Sequence, residues 1–162
     1  MAASRRAGNV GGIGAVAMAD LLGHWPAADG PLYRLLAARI ARLARQILGD
    51  GPLLAPEQKV VLETDPERAR AIGRPRVEEP YLGLTNYLTN LRRLGWTDAD
   101  FADGGSDALI DALAVHGDAV AIARGVTAHL EAGADHVAVQ VLNPDPLPAL
   151  RALAGQLQLT RR

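Results

Sequence analysis

The chain has 162 residues, with 17 Lys+Arg against 18 Asp+Glu and a formal net charge of −1. That balance writes neither a nucleic-acid surface nor an acidic tail into the molecule. Hydrophobic residues at 49% and charged residues at 22% match an ordinary globular domain and exclude disorder throughout. With no cysteine, the chain cannot form a disulfide, a thiolate nucleophile, a cysteine zinc site or an iron–sulfur cluster. Every apolar run is interrupted by Arg, Asp, Gly or Pro before the roughly 20 residues a bilayer span needs. The expectation is a soluble, cytoplasmic protein with no membrane and no nucleic-acid partner.

In chain order, Gly8, Gly12 and Gly14 stand at the GxxxGxG spacing of a dinucleotide loop. Such a loop needs a buried strand before it, and here only six residues, Met1 to Arg6, precede the run. A glycine-rich terminus is the simpler expectation. Arg5 and Arg6 ahead of residues 10–22 have the outline of an export signal, which Asp20 and the glycines weaken. From Pro31 to Leu48 the period becomes helical, with Leu32, Leu36, Ile40, Leu43 and Ile47 on one face and Gly49 as the stop. Arg39, Arg42 and Arg45 form a basic stripe beside that face, read as solvated charge.

Gln58 to Glu63 reads as a buried strand. Thr64 or Asp65 caps the helix that follows, with Pro66 in its first turn. Tyr81, Leu84, Leu88, Leu91 and Leu94 mark one helical face between Glu78 and Leu94; Gly95 closes it and Trp96 packs over its end. Thr97 with Asp100, and Ser106, look like caps, and Ser106 to His116 is expected to be a short helix ended by Gly117. Asp118 opens a helix to Glu131, with Gly133 as its stop. His136 to Leu142 reads as a strand buried on both faces, followed by a helix over Leu147 to Leu157. Two strands and five or six helices make an unbalanced α/β domain.

The catalytic inventory is thin. The four histidines, His24, His116, His129 and His136, have no ligand spacing, so no metal is expected. Ser106 lacks the glycine-flanked turn of a serine hydrolase. Glu78 with Glu79 and Asp98 with Asp100 stand where helix starts favour carboxylates.

Residues 53–70, LLAPEQKVVLETDPERAR, resemble the late strand and helix of the bacterial luciferase-like flavin or deazaflavin oxidoreductases. Three further blocks resemble that family in the same order. They are YLGLTNYLTNLRRLGW at 81–96, DALAVHGD at 111–118 and AHLEAGADHVAVQV at 128–141. Together they fall within about 100 residues of the chain and are similar to the deazaflavin-dependent branch. The resemblance implies an α/β fold that is the C-terminal fragment of a TIM-like (β/α)8 barrel, helix-rich and with few strands. Residues 44–162 are then the C-terminal part of the barrel, and residues 1–43 an atypical, partly flexible segment with one amphipathic helix beginning near residue 31.

The family implies an oxidoreductase or monooxygenase. A reduced deazaflavin coenzyme, or FMN in its place, passes a hydride to a small organic substrate or activates oxygen against it. The early strands of the family have no counterpart before Ala44, so a truncated product or a shifted start is the expectation. Activity would then need the missing barrel half as a partner, and the alternative is a non-catalytic remnant acting as an oligomerising helical domain. Barrel logic puts functional groups at the carboxyl ends of strands, which makes Glu63, Thr64, Gln140 and Asn143 the candidate cofactor- or substrate-pocket residues. Thr64 doubles as a helix cap and Asn143 as a turn residue.

Overall fold

The computed structural model describes residues 36–159. The glycine run at 8–14, the arginine pair at 5–6 and the first turn of the helix expected from residue 31 lie outside them.

Helix α1 (Leu36–Leu48) buries Ala41 and Ala44 against Leu54, Ala132 and Ala134. Arg45, read from the sequence as solvated charge, is a clamp. Its Nε donates to Gly133 O at 2.8 Å and its Nη1 to Gly49 O at 2.7 Å, while Nη2 pairs with Asp135. Asp135 also accepts from Leu54 N–H, and that bond, followed by the Arg45 guanidinium, holds its carboxyl below the usual range.

Strand β1 (Glu57–Leu62) leads into helix α2 (Pro66–Glu78). Asp65, not Thr64, is the cap: its carboxylate accepts from Glu67 N–H at 3.0 Å and Arg68 N–H at 3.1 Å. The single helix expected over Glu78 to Leu94 is broken. Pro80 cannot continue α2 and disfavours helical geometry at Glu79, whose backbone is extended. A 3-10 turn (Tyr81–Gly83) intervenes, and helix α3 (Thr85–Arg93) starts only after an exposed Leu84. Trp96 does pack over its end, against Leu91, Leu109 and Ala112.

Helix α4 (Asp98–Phe101) carries the expected capping box between Thr97 and Asp100. Helix α5 (Asp107–Leu113), capped by Ser106, stops three residues short of His116. The chain then becomes a third strand, β2 (Ala114–Gly117), which the sequence pattern does not signal. Helix α6 (Ala119–Glu131) follows, capped by Asp118. Gly117 makes this sharp entry at φ +136°, and a Cβ there would stand 3.0 Å from Ala121 Cβ. Strand β3 (Ala138–Val141) and helix α7 (Leu147–Gln156) complete the described residues.

The three strands are parallel, in the order β2-β1-β3, with Lys59 beside Ala114 on one side and Gln140 on the other. Consecutive strands of a (β/α)8 barrel lie side by side in chain order, whereas here β1 is central, as in an open doubly wound sheet. The connection from β1 to β2 and the return from β2 to β3 run in opposite directions. Crossovers of one hand must then lie on opposite faces. That is what is found: α2 and α5 cover one face, and α6 and α7 cover the other.

On the α6 side, Val60 packs with Ile122, Ala123 and Leu153, flanked by Leu62, Val115, Val139 and Val141. On the α2 side the cover stops at β1. Ala138 and Gln140 of β3 are exposed, so this strand is bare on one face rather than buried on both.

Candidate functional site

A doubly wound sheet takes ligands outside the carboxyl ends of its strands, where neighbouring connections diverge. In this sheet that point lies between β1 and β3, and it brings Glu63, Thr64 and Asn143 to one end of the molecule. Gln140 is separate from them, one register step from the end of β3 and on the bare face beside Lys59.

Each residue at the strand ends has a local occupation. Asn143 Oδ1 accepts from Leu62 N–H at 2.8 Å and its Nδ2 donates to Leu62 O at 3.3 Å, so the carboxamide extends the β1–β3 ladder by one rung. Glu63 Oε1 accepts from Asp65 N–H at 2.9 Å and from Arg68 Nη2 at 3.1 Å. The Asp65 N–H and the Arg68 guanidinium together hold the Glu63 carboxyl below its ordinary range. Thr64 is exposed.

The sequence does not announce a second polar group, at the carboxyl end of β2. Arg70 grips Asp111 with Nε at 2.9 Å and Nη2 at 2.6 Å, and its Nη1 reaches Asp107 at 3.0 Å. His116 Nε2 lies 3.1 Å from Asp111 Oδ1. Burial opposes the Asp111 charge, but the bonds from Arg70 and His116 outweigh it and keep the carboxyl below its usual range. An acid that orients an imidazole is the arrangement of a general base and its positioning group. No periodicity reveals it, because Arg70 and Asp111 are 41 residues apart and His116 changes from helix end to strand.

The third group lies on the α2 side of the sheet. Lys59 Nζ donates to the Glu57 carboxylate and to the Tyr81 hydroxyl, and Tyr81 meets Tyr87 edge to face at 4.6 Å between centroids. Burial works against the Lys59 charge, yet its two partners prevail and raise its pKa above the ordinary lysine value.

Among the described residues no group of three His, Cys, Asp or Glu is placed to hold a metal ion, and no helix is long and apolar enough to cross a membrane. Nor do these residues form a seat for a flavin or deazaflavin ring. Asn143 is spent on Leu62, Glu63 on α2, and Gln140 lies on an open sheet surface rather than in a cleft. The chain matches no protein-family model, no curated protein and no solved structure.

Proposed function

We propose that this chain supplies the C-terminal α/β part of a cytoplasmic luciferase-like oxidoreductase. It works with a reduced deazaflavin coenzyme, or FMN in its place, on a small organic substrate. What supports the reading is the sequence resemblance in four ordered blocks, carried on an α/β unit with three parallel strands. Each of the four blocks includes a complete strand or, in the second, the complete 3-10 turn and helix α3. They cover β1 with the start of α2, the 3-10 turn with α3, the end of α5 with β2, and the end of α6 with β3.

The cofactor supplies the redox chemistry in such enzymes, while the protein supplies its seat and the orientation of the substrate. That seat requires chain beyond the described residues, joined at the open edges of the sheet. The barrel form of the proposal asks more, because β3 must leave β1 for new strands to enter in chain order. Fluorescence titration of the full chain with oxidised and reduced deazaflavin, with FMN alongside, tests the reading. Saturable binding is expected. A folded chain that binds none of them overturns the oxidoreductase reading and leaves a non-catalytic, oligomerising α/β domain.

A further inference from the structure

The histidines among the described residues are held in different ways. His129 is enclosed, with Nε2 beside Gln58 Oε1 and Nδ1 buried. His136 is exposed, and no described side chain bonds its ring. His116 has both orientation and access. Its Nε2 lies 3.1 Å from Asp111 Oδ1, and its side chain is 19% exposed. It is the next-to-last residue of β2, at the end of the sheet where an open α/β fold takes its ligands.

The charge on Asp111 fixes the tautomer of the neutral ring. Arg70 grips that carboxylate with Nε at 2.9 Å and Nη2 at 2.6 Å, which leaves it ionised and fixed in place. An ionised carboxylate has no proton to give, so Nε2 is the donor and Nδ1 carries the lone pair. Nδ1 has no partner among the described residues and, unlike Nδ1 of His129, is not buried.

We propose that His116 is a nucleophilic imidazole that transfers acyl groups from neutral aryl esters to water, with Asp111 as its positioning residue. Nδ1 attacks the ester carbonyl carbon, the bond from that carbon to the aryl oxygen breaks, and the aryloxide leaves with the electron pair. Water then adds to the acyl carbon, the bond to Nδ1 breaks, and a carboxylate and a proton are released. The positive charge that the ring gains on acylation faces the Asp111 carboxylate through Nε2–H. No hydroxyl is bonded to the ring among the described residues, so the imidazole acts as nucleophile and not as base for another group. A nucleophile without a proton donor for the leaving group needs one that departs as a stable anion, which selects aryl esters over alkyl esters and amides. The neighbouring arginines are spent on acids, Arg70 on Asp107 and Asp111 and Arg68 on Glu63, so the surroundings favour a neutral acyl donor over an anionic one. The activity is independent of the oxidoreductase reading, because it needs neither a cofactor nor further chain.

Hydrolysis of p-nitrophenyl acetate by the full chain tests it. More p-nitrophenolate than chain is expected, since an acyl-imidazole turns over whereas an amine keeps its acetyl group. His116→Gln is expected to lower the turnover rate about 10-fold or more, and His136→Gln to leave it unchanged. Asp111→Asn should lower it several-fold, while nitrogen NMR of the His116 ring changes from Nε2–H alone to a mixture of tautomers. Release that stops at one equivalent overturns the proposal. So does a rate that folded His116→Gln leaves unchanged, or a His116 ring protonated at Nδ1 in the parent. A folded Asp111→Asn with the parent's rate and tautomer overturns the positioning role. If that variant fails to fold, the parent's NMR spectrum and His116→Gln decide.

Discussion

His129 is 1% exposed, and its Nε2 lies 2.8 Å from Gln58 Oε1 while Nδ1 is buried without a partner. Gln58 in turn donates to Lys59 O, which fixes its carbonyl oxygen toward the ring. The imidazole is thus held neutral, with Nε2 as the donor. Burial lowers its pKa below the ordinary 6.5, because a second ring proton would have no acceptor. The sign follows from linkage. The unfolded chain takes up the proton first, so stability is full above pH 6.5 and is lost as pH falls from there toward the folded-state pKa. Urea midpoints measured at about pH 7.5 and about pH 5.5 should therefore fall more for the native chain than for His129→Gln. Equal falls would show that other groups carry the acid sensitivity. The sequence places His129 in a helix, but its burial depends on Gln58, 71 residues away, and no local pattern records that.

At the scale of elements, the joint between β1 and β3 is made by a side chain. Asn143 occupies the position of the next strand residue and satisfies both backbone groups of Leu62. Asn143→Ala leaves that N–H and C=O unpaired in a half-buried place. The loss should be about 1–3 kcal/mol of unfolding free energy, read from urea denaturation, with no change in helix content at low denaturant. A neutral result would mean that water replaces the carboxamide at no cost.

The elements best written in the sequence are those with their own caps. Asp65 with Pro66, Thr97 with Asp100, Ser106 and Asp118 each mark a helix start that the fold keeps. What the sequence conceals is set by tertiary contact. Strand β2 is four residues long, too short for a period of two to stand out, and it follows Leu113 without a break in apolar pattern. Pro80 is a local signal that outweighs the leucine spacing around it. Strand β3 has the composition of a fully buried strand, and its bare face is settled only by how far the α2 layer reaches. Among the candidate residues, strand-end position is legible for Glu63, Thr64 and Asn143, whereas the bonds that occupy Glu63 and Asn143 are not. The Asp111–His116 pair escapes sequence reading because strand pairing and a helix turn bring it together.

At the scale of the whole molecule, the described residues form a sheet clad fully on one side and half on the other. β1 is the only strand of the three with neighbours on both sides, and two fully buried side chains, Val60 and Val61, belong to it. The least supported part is β3, joined to the rest through β1, the Asn143 bridge and the Arg45–Asp135 clamp. Opening of this layered structure is therefore expected to start where the α2 layer ends, over Lys59 and Gln140.

Lys59 is the only lysine in the chain, its side chain is 10% exposed, and its partners keep it protonated. An amine-acylating reagent thus meets two amines, the terminal α-amino group and one ammonium shut beneath Tyr81. Acylation at Lys59 should be slow in the native chain, should accelerate steeply across the urea transition, and should be faster in native Tyr81→Phe than in the parent. A native rate equal to the rate in urea would sink the expectation. If it holds, a second mass increment, beyond that of the α-amino group and read by mass spectrometry in a mixture, counts the molecules whose sheet has opened.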